Sequence, residues 1–96
     1  HKWVPVITYH IYENEEIRFS ELQEEIGAIT NKTLSNNLDR MQDQGIIDRN
    51  VKDEKPVRIT YELTEFGEKL IPLVEDMVSW GQKNLKEGEK EEAWVK

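Results

Sequence analysis

Ser20–Gly45, SELQEEIGAITNKTLSNNLDRMQDQG, runs directly into Ile46–Thr64, IIDRNVKDEKPVRITYELT, and these two stretches decide the fold. Ser20-Glu21-Leu22-Gln23 has the form of a capping box, which predicts Ser20 as N-cap and Gln23 at the third helical position. That helix turns Leu22 and Ile26 to one side, and Gly27 ends it, because glycine takes the left-handed backbone that closes a helix. Thr30 caps the next helix, on which Leu34, Leu38 and Met41 share a face, and Gly45 follows its last turn. Gly27-Ala28-Ile29 is the turn between the two, with Ile29 placed to plug the gap. The period then changes. Ile47, Val51, Val57, Ile59, Tyr61 and Leu63 alternate with polar neighbours around the turn Asp53-Glu54-Lys55-Pro56, which predicts a β-hairpin.

Upstream, Trp3, Ile7 and Ile11 recur at helical spacing with Val6 and His10 beside them, and Pro5 suits a first turn. Arg18-Phe19 reads as a short bridging strand. Downstream, Thr64 caps a long helix carrying Phe66, Leu70, Leu73, Val74, Met77, Val78 and Trp80, which Pro72 is predicted to kink or split. Residues 87–96 read as a solvated tail, leaving residues 1–86 as the domain. The order is helix, short strand, helix, helix, hairpin, helix. This is an α+β chain, mostly α, and the order describes a winged helix-turn-helix with an added C-terminal helix.

Composition narrows the function. The chain has 96 residues, enough for one domain. Cysteine is absent, which excludes a disulfide scaffold, a thiol nucleophile and a thiolate zinc site within these residues. His1 and His10 are the only histidines, so no metal site, cofactor or catalytic group is expected and the chain reads as no enzyme. Neither a run of about 20 apolar residues nor a signal peptide is present, so a cytoplasmic protein away from membranes is expected. The chain opens on His1 rather than Met, and further residues are expected ahead of it. The net charge of -7 opposes binding to nucleic acid. Its distribution does not: residues 30–58 carry six basic against five acidic side chains, whereas both flanks are strongly acidic.

Lys2-Trp3, Arg18-Phe19-Ser20-Glu21-Leu22, Lys32-Thr33-Leu34 with Leu38, Gly45-Ile46-Ile47, Pro56–Thr64 and Gly67 with Leu70-Ile71-Pro72 together resemble the HxlR family of winged-helix transcription regulators. The resemblance runs from about Lys2 to Gly81. It implies a homodimer built from the first and last helices, with the Thr30-capped helix in the DNA major groove and the hairpin as wing. Two departures stand out. Many members carry a sensing cysteine just ahead of the Lys-Trp pair, and many place Arg where Asn37 stands.

On a helical wheel, Lys32, Asn36, Asp39 and Asp43 point away from the Leu34 face, with Thr33, Ser35 and Arg40 on the flanks. Asn pairs with adenine edges, and hydroxyls and Lys suit bases or phosphates. The candidate DNA contacts are therefore Asn31, Lys32, Thr33, Ser35, Asn36 and Arg40, joined by Lys52, Lys55 and Arg58 of the hairpin. An ordinary solvated helix face and internal salt bridges are the plainer readings. Asp39 and Asp43 favour them, and Arg49 is expected to pack its stem within an internal ion pair. Trp3, Ile7, Leu70, Val74, Met77 and Trp80 are the candidate dimer contacts; an unidentified small-molecule effector could lie among the aromatics there. The leading expectation is a homodimer on pseudo-palindromic double-stranded DNA. Its rival is a winged-helix protein-interaction module with an acidic docking surface.

Overall fold

The computed structural model describes residues 3–84, and its elements follow the order read from the sequence. Helix α1 (Val4–Asn14) has Pro5 in its first turn, where a missing N–H forfeits no helical bond. Its inward face is Val6, Ile7, Thr8 and Ile11, and the buried Thr8 hydroxyl donates to the Val4 carbonyl at 2.7 Å. Strand β1 (Glu16–Arg18) leads without a loop into α2 (Phe19–Ile26). The capping box is displaced from its expected place. Arg18 is the N-cap, and Glu21 reaches back to accept the Arg18 N–H at 3.0 Å, so neither Ser20 nor Gln23 plays its predicted part. Sheet pairing explains the shift: Ile17 and Arg18 are held extended opposite Tyr61 and Thr60, and the helix starts at the next residue.

Helix α3 (Asn31–Asp43) is capped as expected, with the Thr30 hydroxyl oxygen accepting from the Thr33 N–H at 3.1 Å. Its end is a Schellman motif. Gly45, at φ 76°, donates to the Gln42 carbonyl at 3.0 Å, and Ile46 donates to the Met41 carbonyl at 2.9 Å. The hairpin follows as β2 (Ile47–Lys52) and β3 (Arg58–Leu63). β3 is central in an antiparallel sheet of order β1-β3-β2. Thr64 caps α4 (Glu65–Lys69), accepting from the Gly67 N–H at 3.0 Å, and α5 (Ile71–Asn84) resumes after Leu70. Pro72 stands in the first turn of α5, so the predicted split is present.

One apolar cluster joins these layers: Val6, Ile7 and Ile11 of α1, Ile17, Leu22, Ile29, the Leu34-Leu38-Met41 face of α3, Ile46, Ile47 and Tyr61. Burying each such aliphatic side chain contributes about 1.5–3 kcal/mol, so the α2–α3 pair is clamped from beneath by its own apolar faces. Ile29 plugs the gap at 2% exposure.

Three expectations change. Arg49 lies exposed and makes no ion pair among the described residues, because β2 beyond Ile47 has no core beneath it. Val51 and Val57 are exposed at the outer end of the hairpin for the same reason. Ile7 and Val74 are buried within the protomer, at 0% and 5% exposure, so they have almost no surface left for a partner. The side chain of Trp80 and the predicted tail lie outside the described residues. Among the described residues no helix is long and apolar enough to cross a membrane.

Candidate nucleic-acid interface

The inward face of α3 fixes what its outer face can offer. Leu34, Asn37, Leu38 and Met41 are buried, which leaves Asn31, Lys32, Ser35, Asn36, Asp39, Arg40 and Asp43 exposed. Lys32, Ser35, Asn36, Asp39 and Asp43 fall at three- and four-residue steps and form a continuous polar stripe. Thr33 is half-buried, and its hydroxyl accepts from that of Thr30 at 2.9 Å. Position 37 lies off this stripe. The Asn37 amide turns back to the Thr33 carbonyl at 2.8 Å, so an Asn there takes nothing from the exposed face.

The sequence did not reveal the residue that braces this helix from behind. The Gln23 side-chain amide donates to the Ile29 carbonyl at 3.0 Å, spanning the turn between α2 and α3. The available signal was a long amide one helical turn ahead of Gly27-Ala28-Ile29, within reach of a turn carbonyl.

The wing places Lys52 and Arg58 directly opposite each other at the outer end of the hairpin, with the connection 53–57 between them. Lys52 Nζ lies 3.2 Å from Glu16 Oε2, and Arg58 Nη1 lies 4.0 Å from Glu54 Oε2. Lys55 is exposed at the tip and makes no ion pair among the described residues. At the wing's base, the Thr64 hydroxyl lies within hydrogen-bonding distance of the Gly45 and Ile46 carbonyls, which ties β3 to the turn that ends α3. Wing and α3 are therefore anchored to the same three residues.

An acidic region lies beside α1 and the inner end of β3. A cavity of about 610 Å³ is lined by Tyr12, Glu13, Asn14, Glu15, Glu62, Leu63 and Glu68. Nearby, Glu25 accepts from the Asn14 amide at 3.1 Å and lies 2.9 Å from His10 Nδ1, joining α1 to α2. His10 is thus a half-buried helix residue with a partner on α2. The Tyr9 phenol bonds to the Glu13 carboxylate, which pushes its pKa above the usual tyrosine value. Among the described residues no group of three acidic, histidine or cysteine side chains could hold a metal ion.

A helix-turn-helix with a hairpin wing anchored at its foot is the architecture of winged-helix regulators, and the sequence matches the description "HxlR-like helix-turn-helix" over residues 1–89. The chain belongs to that family. An HTH-type transcriptional regulator of Halalkalibacterium halodurans is 40% identical over 83 residues, a span of 86% of this chain and 74% of that protein. The redox regulator HypR in its oxidized form is similar in structure, with a TM-score of 0.84 and 34% identity over 90% of this chain and 88% of that one. The reduced form of the transcriptional regulator YodB from B. subtilis gives a TM-score of 0.77 and 30% identity, covering 88% and 81% of the two chains. HypR is described as a redox regulator, whereas residues 1–96 of this HxlR-like chain contain no cysteine.

Proposed function

We propose that this chain is a homodimeric, sequence-specific DNA-binding transcription regulator acting in the cytoplasm. The observation that carries the reading is the exposed first half of α3, where Asn31, Lys32, Ser35 and Asn36 stand clear of the core, together with Lys52, Lys55 and Arg58 on the hairpin that follows α3. Helix N-terminal residues of this kind read base edges in the major groove. Thr33 contributes from the flank, while Arg40, Lys52, Lys55 and Arg58 hold phosphate. The family membership supports the same assignment.

Dimerisation is proposed through α1 and α5. Leu73 and Met77 expose 61% and 48% of their surface; with half-buried Trp3 and Leu70 they are the apolar side chains proposed for a second copy to cover. Trp80 completes the proposed contact set. Two copies of α3 would then meet grooves on one face of the duplex, with half-sites about one helical turn or a multiple apart on a pseudo-palindrome. The acidic cavity beside Tyr12 favours the second reading, a protein-interaction module that docks a basic partner.

A gel shift at low salt against the promoter region of the chain's own gene separates the two. Asn36→Ala is expected to weaken operator binding by about 1–3 kcal/mol per half-site and leave random DNA nearly unaffected. Lys55→Ala is expected to weaken both alike and to flatten the salt dependence by about one unit. If both folded variants bind as the parent does, α3 is not the reader and the interaction module replaces this proposal.

A further inference from the structure

Of the four hairpin cations, Arg49, Lys52, Lys55 and Arg58, two already face a carboxylate. The Arg58–Glu54 pair is local, four residues apart in sequence, with both side chains about half exposed, and such pairs contribute little. The Lys52–Glu16 pair is different. It joins the two edge strands of the sheet across central β3, and it is the less exposed of the two pairs, at 40% and 34%. Charge on both sides favours it. Lys52 is directly opposite Arg58, while Glu16 is opposite Glu62, which in turn is opposite Asp48. Like charges facing each other across strands destabilise a sheet, and this one contact relieves both conflicts.

We propose that Glu16 is an intramolecular stand-in for a DNA phosphate at Lys52, and so sets how tightly the wing holds the duplex backbone. The inference rests on the DNA-binding reading above. Carboxylate and phosphate oxygens both accept charge-assisted hydrogen bonds from an ammonium group, so they compete for the same Nζ. A Lys52 held by Glu16 releases fewer counterions from DNA than a free one. Because the pair is partly exposed, phosphate displaces it only in part, and the cost is the same for every DNA sequence. Glu16 therefore lowers affinity without changing sequence preference.

The test titrates the full chain and its Glu16→Gln, Lys52→Gln and double variants with a random-sequence duplex and with the promoter fragment, across a sodium chloride series. Circular dichroism checks the fold, and Glu16→Thr, which suits a strand, replaces the amide variant if that one unfolds. Glu16→Gln is expected to bind both duplexes about two- to fivefold more tightly at low salt, with a salt slope steeper by up to about 0.9 per protomer. The double variant is expected to match Lys52→Gln. Unchanged affinity in Glu16→Gln overturns the proposal. So does equal tightening in the Lys52→Gln background, since that reports the general loss of negative charge. A parent chain that binds neither duplex sinks the DNA reading together with this inference, whereas a binding parent with an inert Glu16→Gln sinks only the role of Glu16.

Discussion

Lys32 and Arg40 on α3 make no ion pair among the described residues, whereas Lys52 and Arg58 on the wing each lie beside a carboxylate. The contrast follows from how the two regions are held. Helix α3 is fixed by a hydroxyl cap, a Schellman end and a buried apolar face, so its charges have no part in the fold. The outer wing has little core, since Val51 and Val57 are exposed and only Ile59 packs against the apolar cluster. Its order rests mainly on the strand ladder, with its ion pairs adding a little. In the wing, the same cations serve both folding and the proposed binding.

The largest effect is expected where the two regions share an anchor. A Cβ on Gly67 would stand 2.1 Å from the Ile46 carbonyl oxygen, which is backbone and cannot swing away. Gly67→Ala is therefore expected to cost about 3 kcal/mol or more, which for a domain of this size lowers the thermal midpoint by roughly 12 °C or more. Calorimetry showing a midpoint near the parent's would mean that the wing's base is not held at Ile46. A smaller effect is expected at the cap of α3. Thr30→Ala removes the acceptor for the Thr33 N–H and the donor to its hydroxyl, at about 1 kcal/mol of stability in a urea titration. Changes in the wing's outer strands should leave that cap untouched.

The smallest effect separates the cations themselves. Arg40→Ala is expected to lower the salt slope of DNA binding by about 0.9 per protomer, and Arg58→Ala by less, since Glu54 already shares its charge. Equal slopes would dissolve the distinction between the two regions.

Much of this was legible along the chain. The Thr30 and Thr64 caps, Gly27 and Gly45 as stops, the Leu34-Leu38-Met41 face and the split at Pro72 all depend on residues within a few positions of one another. The outer stripe of α3 was legible for the same reason, as the complement of an apolar face. The misplaced cap at Ser20 shows the limit. Its local motif was sound, but pairing of Arg18 with Thr60, far along the chain, set where the helix begins.

The sequence by itself determined the element order, the helix-turn-helix and the polarity of its faces, because caps, turns and periodicity act over one or two turns of backbone. Tertiary structure alone decided which apolar residues the chain keeps for itself, and so left Ile7 and Val74 little surface for the proposed dimer contact. It also chose the Ile29 carbonyl for Gln23 and Glu16 for Lys52. Those choices depend on which strands become neighbours and on where a sheet runs out of core, and sequence periodicity carries neither.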